Sequence, residues 1–335
     1  MESDALTTLA VVRGTQGRPG ESASLLAEAL AVARRSGSLS AELRVAYNLG
    51  TTAYEDGDVL TAAAVVDDAV TRAEENGLGW SDYGLELRVL QGIVRYTAGD
   101  FEGSRRLAEL AGQRPSEVVL ARVGAAALPA VVARGDHDAA DAVARLEGAW
   151  HHDGQVAMVA GGAAAELAIW GGDPDRALTV VGRAIDHVSR VWDPWFLGGI
   201  WLAAVGLAAA GDLAERARLV GDTAAERHAE DAGRRLLEHA EATATHGQPR
   251  SGVMGPEGRA WLARARAEWS RVEGRPDPEA WRAAAEEFRR AATGVDPYET
   301  GRCRWRLAEA LLATGDRPGA AEQAALAAGT ARRLG

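Results

Sequence analysis

The sequence predicts an all-α protein, an α-solenoid of tandem helical hairpins, and three observations predict it. Gly-Asp dipeptides recur at Gly57-Asp58, Gly99-Asp100, Gly135-Asp136, Gly172-Asp173, Gly211-Asp212 and Gly315-Asp316. The first five are spaced by 42, 36, 37 and 39 residues, and each sits between apolar stretches of about a dozen residues. Alanines keep fixed offsets of five and twelve residues after three of the turn glycines, at Ala62 and Ala69, Ala177 and Ala184, and Ala320 and Ala327. Glycine accepts the left-handed conformation that stops a helix. Aspartate then caps the next helix by accepting its free N–H groups. The alanines mark where helices approach closely.

Taken in order, residues 5–35 read as a weak first hairpin, with "GRPGESASLLAEALAVARRSG" as its second helix. Residues 43–76, containing "YNLGTTAYEDGD", are the strongest copy. "RYTAGDFEGSRRLAELAGQRP" follows around Gly99 and closes on Pro115. The copy around Gly135 is degenerate, because Glu147 stands where alanine is expected. Pro174 in "GGDPDRA" and Pro318 in "GDRPGA" fall in the first turn of a helix, where a missing N–H costs nothing. "PWFLGGIWLAAVGLAAAG", residues 194–211, carries no charge. Its length approaches the ~18 residues of a spanning helix, but its alanines and glycines insert weakly and no arginine cluster flanks it, so it reads as a buried helix. One or two charged amphipathic helices run on to residue 246. "HGQPRSGVMGPEG" then breaks helical continuity. The organisation predicted is a repeat array over 1–246, a Gly/Pro-rich loop over 247–257, and further hairpins over 258–335. Ala284, Phe288 and Ala291 give the first of these a small-aromatic-small spacing.

These positions resemble the tetratricopeptide repeat: "YNLG" matches the start of its first helix, "GD" its turn, and the spaced alanines its second helix. The spacings exceed that family's 34 residues, which implies lengthened turns between repeats. Such a scaffold offers a concave face to a protein partner, a peptide or a small effector.

Composition narrows the chemistry. The chain has 335 residues and no lysine, so all 37 basic residues are arginine. A Walker A lysine and a Schiff-base lysine are thereby excluded. A net charge of −11 disfavours direct DNA binding. The single cysteine, Cys303, fits a reducing cytoplasm and reads as a buried, inert thiol. "MESDALTT" shows no secretory signal. His151, His152 and Asp153 are adjacent, but neighbouring residues of a helix point about 100° apart, and they read as a solvated turn. No catalytic, cofactor or metal site is predicted.

The tryptophans are more informative. "VWDPWFLGGIW" gathers Trp192, Trp195 and Trp201 within ten residues. Two readings stay open: packing between hairpins, or the aromatic wall of a ligand or partner pocket. Gly198-Gly199 within this stretch calls for a close helix approach or a kink.

The C-terminal run "GPEGRAWLARARAEWSRVEGRPDPEAWRAAAEEFRR" and "YETGRCRWRLAEALLATGDRPGAAEQAALAAGTARRLG" resembles the last repeats of the large ATPase-type LuxR-family transcriptional regulators. In that family a nucleotide-binding ATPase precedes a tetratricopeptide-like sensor region, and a LuxR-type helix-turn-helix follows it. This chain has no P-loop and reaches "ARRLG" without the helix-turn-helix. The resemblance therefore implies a non-catalytic, cytoplasmic sensor segment that couples effector or partner binding to DNA binding supplied by another domain. A stand-alone tetratricopeptide adaptor is the alternative. An α-helical toroid enzyme using Asp193 is a third.

Overall fold

The computed structural model describes residues 1–107, 109, 116–295 and 297–335; Pro115 lies outside them. Among the described residues there are α-helices, one short 3-10 turn and no strand. The helices are α1 (Glu2–Thr15), α2 (Pro19–Ser36), α3 (Leu39–Glu55), α4 (Val59–Glu75), α5 (Asp82–Ala98), α6 (Phe101–Arg106), α7 (Glu117–Arg134) and α8 (Ala139–Glu147). After the 3-10 turn Trp150–His152 come α9 (Gly154–Trp170), α10 (Pro174–Val191), α11 (Gly198–Val220), α12 (Thr223–His246), α13 (Pro256–Val272), α14 (Pro278–Ala291), α15 (Tyr298–Ala313) and α16 (Arg317–Leu334).

Local chemistry sets these boundaries. Gly57, Gly99, Gly172 and Gly315 all have positive φ, between 78° and 92°. The aspartate after each accepts a backbone N–H three residues on, from Thr61 at 3.1 Å, Gly103 at 2.8 Å, Arg176 at 3.1 Å and Gly319 at 3.0 Å. The predicted stop-and-cap mechanism operates at these four turns. Gly135 makes the turn, but Asp136 pairs with Arg134 and leaves α8 without a side-chain cap.

The Gly211-Asp212 turn is not formed. Both residues lie inside α11, which continues to Val220. The hairpin turns at Gly221-Asp222, where Gly221 has φ 72° and Asp222 accepts from Ala224 and Ala225. The reason lies on α13. A Cβ on Gly211 would come within 3.0 Å of the Arg271 guanidinium, and the Asp212 carboxylate is that guanidinium's partner. The dipeptide receives an arginine instead of ending a helix. Gly198-Gly199 likewise lies in the first turn of α11 and gives close approach to Met158 and His239. The uncharged run through residue 211 supplies most of the buried residues of α11, and no described helix is long and apolar enough to cross a membrane.

Odd-numbered helices from α1 to α13 pack each on the next odd one, and the even-numbered helices cover them from outside. Ala62, Ala69, Ala177, Ala184 and Ala320 are buried in the seams, as are Ala284, Phe288 and Ala291. The array then coils back on itself. Thr293 donates its N–H to the Gly57 carbonyl at 2.9 Å. Tyr96 on α5 and Tyr298 on α15 meet edge to face at 6.4 Å. The 247–255 segment joins α12 to α13 and reaches the first hairpins through Arg250, which donates to Asn48.

Gly57 therefore carries two demands. Its φ is 82°, and a Cβ would fall 2.7 Å from the Arg290 carbonyl. Gly77 has φ 70° with open space around it. Gly57→Val is expected to destabilise the fold by at least about 1 kcal/mol, and by more than Gly77→Val. Urea denaturation of the two variants checks this; equal costs would show that the contact with α14 contributes nothing.

Candidate functional site

The concave side of the coil encloses a cavity of about 380 Å³. Its lining comes from odd-numbered helices, from Leu197 just before α11 and from the segment before α13, with none from an outer helix among the described residues. A repeat builds this wall by register. Residues six, three and two before the turn glycine are Ile93, Tyr96 and Thr97 on α5, and Pro129, Val132 and Ala133 on α7. All six face the cavity. On α3 the last two of these places are Tyr54 and Glu55, and both also line it. Pro129 lies inside α7, where it has no N–H to give the carbonyl one turn back.

The three tryptophans of "VWDPWFLGGIW" are separated by the fold. Trp201 lines the cavity and sits 6.2 Å from Trp261 across it at a tilt of 55°. Trp192 and Trp195 do not reach it. Trp192 is half exposed and packs edge-on against Phe196. Trp195 lies over His246 at 5.4 Å. The turn before α11 points these two rings outward. Asp193 accepts from the Trp195 backbone N–H at 2.7 Å, within that turn. Asp153 caps α9 through Gln155 and pairs with Arg122, while His151 faces the Gly148 carbonyl. Cys303 is fully buried, and burial pushes its thiol up to about 12.

Four carboxylates face the cavity: Glu55, Glu166, Glu257 and Glu299. Glu166 is paired with Arg302, and Glu299 with Arg264. Burial raises Glu299 above the usual carboxylate range despite the nearby Arg264 and Arg302. Burial also raises Glu55, with Arg250 opposing it. Glu257 differs from the other three. Its side chain lines the cavity and is exposed, whereas Glu55 is half-buried and Glu166 and Glu299 are buried. Tyr54 and Trp261 are its polar neighbours, and among the described residues neither Glu257 nor Glu55 has an ion pair. Removal from bulk water raises its pKa.

Behind the wall the charges continue as a network. Arg271 on α13 grips Glu215 with two bonds of 3.0 Å, and also meets Asp212 and Glu268. Burial pushes Glu268 up, but Arg271, Arg306 and Arg264 outweigh it and hold the carboxyl below its usual range. Arg264 lies between Glu268 and Glu299.

Neither a family model nor a curated protein matches this sequence. Solved structures similar to it include a monomeric mutant of IFIT1 with m7Gppp-AAAA, at 12% identity and a TM-score of 0.36. Another is an IFIT1 monomeric mutant with Gppp-AAAA, at 12% and 0.35. Each covers 98% of this chain and 90% of the other. A likeness at that level says nothing of ligand or mechanism.

Tyr54, Tyr96, Trp261, Glu257 and Glu299 are site residues that the sequence reading did not single out. A signal existed for the two tyrosines, since both stand three residues before a turn glycine. None existed for Glu257, because the loop that precedes it reads as a linker.

Two outcomes follow from these charges. Arg271→Leu leaves Glu268 buried with a weaker complement of cations and should cost about 3–5 kcal/mol in urea denaturation. Glu257 binds its proton more tightly folded than unfolded, so its contribution to stability falls as pH rises from about 4.5 through the raised folded value. Glu257→Gln should therefore melt higher than the parent at pH 7 and converge with it near pH 4. A constant offset at every pH would assign the effect to packing.

Proposed function

We propose that this chain is a non-catalytic binding module that holds an organic effector in its central cavity, and that it serves as the sensor segment of a LuxR-type transcriptional regulator. DNA binding would come from a domain outside this chain. The observation that carries the reading is the origin of the wall. The cavity takes its lining from α3 in the second hairpin and α15 in the last, with α5, α7, α9, α11 and α13 between. A ligand there touches early and late helices of the coil at once, so its binding free energy acts on how the coil closes. The volume lies within the ~300–1,000 Å³ of ordinary small-molecule sites. The regulator role rests on the C-terminal resemblance.

Filling the cavity tests the reading. Ala133 is half-buried at its edge, and Ala133→Trp should occupy the space. A metabolite that stabilises the parent at a hundred times its Kd should raise Tm by about 4 °C and leave Ala133→Trp unmoved. A partner whose binding survives Ala133→Trp would place recognition on another face and favour a stand-alone adaptor.

A further inference from the structure

The sign of the cavity narrows what can fill it, provided that it is the ligand site proposed above. Its lining carries four carboxylates and one guanidinium, that of Arg250. Arg302 and Arg264 stand behind the wall and pair with Glu166 and Glu299. Arg250 lies near Glu55. Four acids against three arginines leave one negative charge; neither Glu55 nor Glu257 is ion-paired among the described residues, and Glu257 is the carboxylate on which no arginine acts.

The rest of the wall is apolar and aromatic. Tyr54, Tyr96, Trp201, Trp261 and Tyr298 all face the space. Two of these rings already carry a cation: the Arg264 guanidinium lies 5.2 Å from the Trp261 ring and Arg302 lies 5.5 Å from Tyr298. Aromatic faces attract cations through their quadrupole, most strongly where water is excluded. An anion entering here meets carboxylates. A bare metal ion finds too few oxygens that are free of an arginine. A neutral apolar molecule fits the walls but leaves Glu257 without a counter-charge.

We propose that the cavity takes an organic monocation with an apolar body, a quaternary ammonium or a protonated amine, whose charge lies against Glu257 and whose body lies among Tyr54, Trp201 and Trp261. The volume suits a molecule larger than benzene, which fills an engineered cavity of ~150 Å³.

Calorimetric titration of the full chain with benzyltrimethylammonium and hexyltrimethylammonium, each beside its neutral carbon isostere, tests this. The probes are charged at every pH, so any pH dependence belongs to the protein. The groups around Glu257 are Tyr54 and Glu55 from α3, Tyr96 from α5, Glu166 from α9, Arg250 from the loop, and Tyr298 and Glu299 from α15. The expected result is cation binding that strengthens as pH rises through the titration of Glu257, and neutral isosteres that bind at least about tenfold more weakly. Glu257→Gln should weaken the cations by about tenfold and flatten the pH dependence. Glu257→Asp keeps the charge and should keep most of the affinity. Equal binding of cation and isostere, blocked by Ala133→Trp, would overturn the cation assignment and leave the cavity reading standing. Binding of neither class would overturn both. Cation binding unchanged in Glu257→Gln would overturn the role given to that carboxylate.

Discussion

The fold depends on buried pairing between arginine and carboxylate along the inner helices. Asp212 and Glu215 on α11 meet Arg271 on α13, which meets Glu268. Glu268 neighbours Arg264, which pairs with Glu299 on α15. Arg302, one turn along α15, pairs with Glu166 on α9. Each link joins a different pair of helices or continues along one. A half-filled network would leave a buried charge unpaired, which costs several kcal/mol. The helices are thus held in the one register that satisfies all of them. Arginine suits this work because its planar fork grips two oxygens at once, as Arg271 grips Glu215.

Why the interior should be charged follows from the geometry of a closed coil. Inner helices of an open solenoid face solvent on their concave side. Here early and late helices meet, at Thr293 and Gly57 and at Tyr96 and Tyr298, so the concave faces turn toward one another while keeping polar residues. Pairing compensates the charges that lie nearest one another. The remaining space is not filled, because closing it would press Glu55 and Glu257 into a still drier environment. Desolvation already raises both, and further burial would raise the cost.

Hairpins were legible in the sequence because their signals are local. A glycine at positive φ and an aspartate cap act within three residues, and five of the seven Gly-Asp steps behave that way, Gly221-Asp222 among them. Gly211-Asp212 has the same letters and a different role, since its partner Arg271 is 59 residues away in sequence. Nothing within a few residues of Gly211 distinguishes a turn from a close approach; the true stop at Gly221-Asp222 is also a Gly-Asp step. The aromatic cluster was partly legible. Three tryptophans in ten residues left packing and a pocket wall both open, and helix phase decides which one faces inward. Trp201 lies inside α11, whereas Trp192 and Trp195 lie in the turn before it. The acids of the cavity were not legible, because the closure that gathers Glu55, Glu166, Glu257 and Glu299 is a long-range property of the coil.

The segment from residue 247 to 255 gathers these threads. Its composition reads as a linker, and in an open array it would be one. In the closed coil it is a wall. Arg250 reaches Asn48 on α3, and a Cβ on Gly255 would fall 2.8 Å from the Glu55 carbonyl. The same segment delivers Glu257 to Tyr54 and Trp261 at the start of α13. A segment with no helix of its own can follow the uneven gap between early and late repeats, which a straight helix could not. The break in periodicity that marks it in the sequence is therefore the condition for the cavity, and for the one carboxylate there on which no arginine acts.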